Sequence, residues 1–229
     1  PGVIGMTGLI GNPGGYHAVL DCDLLVMLGT DFPYDEFLPG GIDIIQIDKK
    51  VDHIGRRAPV TLGLVGGVKE TLEALSPLVE DKQAGKFSEH LGKLRDKWMH
   101  QMDEQASLSR TDEPLHPQLF ARAISERADE DAVFAVDVGE CTVWLARQMR
   151  MHGGRRMVGS FNHGSLGAGL PVALGAAATE PGRQIWALCG DGGFGMSMND
   201  FVTAVRFQWP IKVIVYNNSE FSFVKMEME

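Results

Sequence analysis

The feature that most constrains the fold is a set of short apolar runs at residues 24–28, 44–47, 132–136, 185–188 and 213–216, interrupted only at Gln46. Runs that are continuous, rather than alternating, belong to strands covered on both faces, as in a parallel sheet. Helical spacing fills the intervals at residues 68–78, 117–127 and 196–207. Strands alternating with helices predict an α/β chain built from parallel-sheet, Rossmann-like units.

Between residues 82 and 114 the composition turns charged and polar, with Leu91, Leu94 and Trp98 at helical spacing. This predicts a helical linker at 83–115 between one unit at 1–82 and a second at 116–229. The formal net charge of -9 is scattered rather than blocked, which argues against nucleic acid as a partner. Cys22, Cys141 and Cys189 have neither CxxC nor Cys/His spacing, so no disulfide framework or zinc site is expected, and a reducing cytoplasm fits. No run reaches the roughly 20 apolar residues of a membrane span, and no signal peptide is evident. The chain opens on Pro1 and closes on Lys225, Met226, Glu227, Met228 and Glu229, and neither end reads as a domain edge. A fragment of a longer enzyme is expected.

The sharpest chemical signal follows the run at 185–188, where Cys189, Gly190, Asp191, Gly192 and Gly193 lead into a helical stretch. Ligands of open parallel sheets bind beyond the carboxyl ends of strands, where glycines admit a phosphate and the next helix offers free N–H groups. A carboxylate at Asp191 would repel phosphates unless a cation lay between them. Residues 193–216 then separate this turn from Asn217 and Asn218, which end the next strand. One right-handed crossover of that length sets the two strands parallel and brings Asp191 and Asn218 to the same edge. Mg2+ takes about six oxygens and keeps phosphate and water among them, so Asp191, the Asn218 amide oxygen and the Glu220 carbonyl suffice from the protein. Either piece alone is better explained as a turn or a strand-ending loop.

Together, GDG and NN at this spacing resemble the cofactor motif of thiamine-diphosphate enzymes. Residues 159–166, 173–176 and 223–227 extend the likeness to bacterial pyruvate oxidases, above all the flavin-containing pyruvate:quinone oxidoreductases. The resemblance implies that Gly164, Ser165 and Leu166 pack on thiamine diphosphate, with Leu166 as the apolar residue that bends it. It also implies that Ser219, Glu220, Phe221, Ser222, Phe223 and Val224 run along the cofactor after Asn218. Phe223 would lie near the path between thiamine and flavin, and Glu227 near the substrate. Read alone, Leu166 is as readily a core leucine and Glu227 a solvated residue. Residues 137–140 resemble the family's diphosphate-side segment but are equally a strand-end turn, and neither His116 nor His163 is assigned a role.

In the first half, Thr7, Gly8, Leu9 and Ile10 form a small Gly-rich stretch. Thr30, Asp31, Phe32, Pro33 and Tyr34 follow the run at 24–28, and Asp48 ends the next strand. On their own these are turn residues; by resemblance they are flavin contacts of the family's central FAD-binding domain, with Asp48 placed to accept from a ribose. The implied activity is oxidative decarboxylation of pyruvate to acetate and CO2 with thiamine diphosphate, Mg2+ and FAD. Electrons would pass to a quinone, in a homodimer or homotetramer that is cytoplasmic or peripheral on the inner face of the membrane. A phosphate-using pyruvate oxidase and an acetolactate-synthase-type carboligase are the alternatives within the family. A non-catalytic remnant that binds Mg2+ and a diphosphate is the alternative outside it. The family's pyrimidine-binding domain and membrane-contacting segment have no counterpart here, so the chain alone is expected to be inactive.

Overall fold

The computed structural model describes residues 3–80, 82–107, 109 and 114–228, apart from the side chains of Met226 and Glu227. The chain divides between Gln101 and Met102 into two units, a division that falls inside the segment expected as a linker.

In the first unit, α1 (Pro13–Leu20) starts where the Asn12 side chain accepts from the Gly15 amide at 2.9 Å and Pro13 occupies the first turn. Both features satisfy the open end of a helix. Three parallel strands follow, β1 (Leu24–Leu28), β2 (Asp43–Asp48) and β3 (Leu62–Val65), in the order β1-β2-β3. α2 (Val68–Leu75) comes next and passes into a 3-10 turn at Pro77 rather than running to residue 78. The expectation of strands covered on both faces holds for the central β2, where Ile44, Gln46 and Ile47 are buried, and fails for β1. Leu24, Val26 and Leu28 share one face with Leu62 and Leu64, and all five are exposed. An apolar run records what a strand can bury, not whether a second layer lies over it.

α3 (Lys86–Gln105) crosses the division. In the second unit its last turn is tied down by a chain of amides. Gln118 donates to Gln105 at 2.6 Å, and Gln148 donates to Gln118 at 2.7 Å and to the Met102 carbonyl at 3.0 Å. Gln118 and Gln148 are buried, and these bonds satisfy amides that would otherwise destabilise the interior.

The second sheet holds β4 (Val133–Val136), β5 (Arg156–Gly159), β6 (Ile185–Gly190) and β7 (Lys212–Tyr216), all parallel and ordered β5-β4-β6-β7. Phe134, Val136 and Leu188 point to one side, where Ile124 of α4 (Pro117–Arg127) and Leu145 of α5 (Glu140–Gln148) cover them. Val133, Ala135, Ala187 and Cys189 point to the other, against Ala173 and Ala177 of α6 (Gly169–Thr179), whose small side chains allow close approach. The result is a three-layer sandwich with its core on β4 and β6. The helix expected over 196–207 instead opens at Asp191 as α7 (Asp191–Ser197), breaks in a 3-10 turn at Met198–Asp200 and resumes as α8 (Phe201–Arg206). α9 (Ser222–Met228) closes the described chain, and no described helix is long and apolar enough to cross a membrane.

Candidate cofactor site at the sheet switch point

The backbone leaves β4 sideways to β5 and then returns to the other flank of β4 as β6. Between β4 and β6 the winding reverses, and in open parallel sheets ligands settle in the crevice at such a point. Val136 pairs with Leu188 and Gly190 with Tyr216, so Asp137, Asp191 and Asn217 leave the sheet at its carboxyl edge. A cleft of about 860 Å3 opens there.

The two predicted halves meet in it. Asp191 Oδ1 accepts from the Gly192 amide at 2.8 Å, and Oδ2 accepts from the Ser219 amide at 2.7 Å. Ser219 reaches it from a left-handed backbone, φ 59°, a conformation that costs about 1–3 kcal/mol in a residue other than glycine. Two bonds to Asn217 Oδ1, from the Ser219 amide at 3.2 Å and its hydroxyl at 3.3 Å, offset part of that cost. Asn218 Oδ1 accepts from the Glu220 amide at 3.1 Å, and Nδ2 donates to Glu140 at 3.3 Å and to Ser222. These bonds fix which end of the amide is oxygen. Each carboxylate or amide oxygen retains a second lone pair, so Asp191 and Asn218 have acceptor capacity left for a cation. The Glu220 carboxylate is drawn to Lys225 Nζ at 3.3 Å.

The glycines fall into two kinds. A Cβ on Gly139, Gly164 or Gly190 would meet nothing within 4 Å, and all three line the cleft, so the backbone there is open to close approach by a ligand. A Cβ on Gly192 would lie 2.5 Å from the Phe221 ring, and one on Gly193 2.0 Å from Asp137 Oδ2, so these two are fixed by their neighbours. Thiamine diphosphate with Mg2+ therefore fits this cleft in both donor set and space.

Leu166, Phe221, Ser222, Phe223 and Val224 line the cleft as well. Ser165 and Ser219 are not among its lining residues: Ser165 is exposed with its amide bonded to Ser160 Oγ at 3.3 Å, and Ser219 acts through Asp191. Glu227 falls within α9, but its side chain lies outside the described residues. The far wall was not anticipated. Leu115, Phe120 and Trp144 form it, with the Arg147 guanidinium 5.4 Å from the Trp144 ring. Glu140 and Asp137 belong to a segment that reads equally as a turn, and only their contacts with Asn218 and Gly167 set them apart. Burial pushes the Asp137 carboxyl above the usual carboxylate range and the Cys141 and Cys189 thiols up to about 12.

In the first unit, Gly8 adopts φ 91° and its Cβ position lies 3.1 Å from the Phe32 ring, so the stretch at 7–10 packs on that at 30–34. Phe32, Tyr34 and Phe37 make edge-to-face contacts there, and the buried Thr7 hydroxyl has no protein partner. An orphaned hydroxyl in a Gly-rich loop fits a polar ligand such as a flavin. At Asp31, desolvation raises the carboxyl, but the hydrogen bond from Arg57 and the charges of Arg56 and Arg57 outweigh it and hold the group low. The Asp48 carboxylate is already engaged, by the Lys50 amide at 2.8 Å and His53 at 3.3 Å. A ribose hydroxyl would have to share it.

Residues 1–75 match the family described as thiamine pyrophosphate enzyme, central domain, and residues 137–229 match its C-terminal TPP binding domain. The chain is 38% identical over its whole length to YdaP of Bacillus subtilis (strain 168), described as thiamine pyrophosphate-containing, of which it covers 40%. It is 28% identical to the acetolactate synthase large subunit of Corynebacterium glutamicum, over 97% of this chain and 36% of that one. It is 26% identical to the pyruvate oxidase of Lactiplantibacillus plantarum, over 100% of this chain and 38% of that one. The chain thus spans well under half the length of each of these relatives. By its paired domain matches, it belongs to the thiamine pyrophosphate-dependent enzymes.

Proposed function

We propose that the full-length protein decarboxylates pyruvate oxidatively, with thiamine diphosphate, Mg2+ and FAD, and passes the electrons to a quinone. The observation that carries the reading is the meeting of Asp191 and the Asn217–Asn218 strand end at the switch point, through the 2.7 Å bond from Ser219. Bound thiamine diphosphate supplies a carbon nucleophile and an electron sink for loss of CO2 from a 2-keto acid, and bound flavin supplies a two-electron acceptor. The protein's part is orientation and exclusion of water. Asp191, Asn218 and the Glu220 carbonyl hold the cation, residues 190–193 admit the diphosphate, and Leu166 presses on the rings. Phe221 and Phe223 keep the reacting end apolar, which strengthens every charge interaction inside it. The stretches at 7–10 and 30–34 hold the flavin, and the protein assembles as a homo-oligomer.

The identity to an acetolactate synthase supports a second reading, in which two 2-keto acids are joined and any flavin stays oxidised. Anaerobic pyruvate separates the two. The oxidative reading predicts bleaching of the flavin absorbance in the full-length protein at the rate of CO2 release. A flavin that remains oxidised while pyruvate is consumed would transfer the assignment to the carboligase.

A further inference from the structure

Asp137 is wholly buried at the end of β4, yet half of its carboxyl group is unused by the protein. Oδ1 accepts from the Val138 amide at 2.9 Å and from the Gly167 amide at 2.9 Å, whereas Oδ2 has no partner. The first turn of a helix leaves free N–H groups that need an acceptor. α6 has Ala168 at its cap, which offers no side chain for this. The Gly167 amide, just before that cap, donates to Asp137 Oδ1 instead, so a strand end is tied to the loop that leads into a helix distant in sequence.

The same carboxyl sets a second distance. Oδ2 lies against residue 193, where a Cβ would stand 2.0 Å away, and Asp137 Cβ lies 3.1 Å from the Cβ position of Gly169. One side chain therefore touches the loop that carries Gly164 and Leu166, and also the first turn of α7 that carries Asp191 and Gly192. We propose that Asp137 is a positioning residue, whose side chain holds these two segments at the spacing that the diphosphate end of the cofactor requires.

The proposal rests on the reading of the cleft as a thiamine-diphosphate site. Asp137 touches no ligand itself. Burial raises the Asp137 carboxyl and holds the neighbouring thiols of Cys141 and Cys189 neutral, and what the geometry shows this side chain supplying is shape and acceptor capacity. Asp137→Asn keeps both, while Asp137→Leu fills the space but takes the acceptor from the Gly167 amide.

The test is calorimetric titration of thiamine diphosphate with Mg2+ into the full-length wild type, Asp137→Asn and Asp137→Leu, with thermal melts alongside. Removal of an outer partner of a metal-bound ligand set lowers affinity by about 10–100-fold. Asp137→Leu is expected to fall in that range with a cooperative melt retained, and Asp137→Asn to match the wild type. Wild-type affinity in Asp137→Leu would overturn the proposal, as would a loss in Asp137→Asn equal to that in Asp137→Leu. If Asp137→Leu does not fold, hydrogen exchange on the unliganded wild type decides: a protected Gly167 amide supports the clamp and a freely exchanging one overturns it. A wild type that fails to bind would instead remove the cofactor reading on which the proposal stands.

Discussion

Asp191→Ala and Asn218→Ala are each expected to weaken Mg2+-dependent thiamine diphosphate binding by on the order of 100-fold, the upper end of what loss of even an indirect metal partner costs. Asp191 and Asn218 follow neighbouring strands at one edge, where the amide of Ser219, next to Asn218, donates to Asp191 Oδ2, so loss of either side chain opens the coordination set on one side. The fold should register it less. Asp191 gives up two backbone hydrogen bonds at the partly exposed lip of the cleft, about 2 kcal/mol in all, and Asn218 is exposed and costs about 1 kcal/mol or less. Calorimetry and thermal melts on the same samples separate the effects. Unchanged affinity in both variants would remove these residues from the metal site.

The second large effect concerns the scaffold. Phe134 is 0% exposed in the middle of β4, packed with Ile124, Leu145 and Leu188, and the Arg155 guanidinium sits 5.9 Å from its ring. Phe134→Ala leaves a cavity flanked by β6 and the helices α4 and α5, which relax only in part. The expected loss is about 3–5 kcal/mol, a large share of the roughly 5–15 kcal/mol that stabilises a typical domain. Urea denaturation followed by circular dichroism measures it, and a loss under about 1 kcal/mol would contradict the packing described. Because Asp137 continues the same strand, cofactor affinity should fall with stability in this variant, unlike in Asp191→Ala.

Both predictions depend on features that differ in how plainly the sequence carries them. The strands at 24–28, 44–47, 132–136, 185–188 and 213–216 were legible, because an apolar run bounded by turn residues has few alternatives. β5 was not: it is four residues long and opens on Arg156, whose guanidinium reaches Glu180 at 2.9 Å. The start of α7 was also hidden. The glycines at 192 and 193 read as loop, and only the strand before them and the packing of Phe221 and Asp137 against them make a helical turn there favourable. The open face of β1 and β3 could not be read, since an apolar strand looks the same whether or not a partner covers it.

The cleft divides along the same line. Gly190, Asp191, Asn217 and Asn218 stand out because their chemistry is local to two strand ends. Trp144, Phe120 and Leu115 carry no such mark, and helical spacing alone makes them packing residues. Asp137 is the extreme case. Its partners at 167–169 and 193 are remote in sequence, and its role depends on distances that no local pattern encodes.

The most direct test of the account is to titrate thiamine diphosphate into the full-length wild-type protein by calorimetry, once with Mg2+ and once with the metal removed by a chelator. A carboxylate among phosphates needs a cation between them, so saturable binding of one cofactor per chain is predicted with Mg2+ and its loss without. No binding in Mg2+, or the same affinity in the chelator, would contradict the assignment of this cleft.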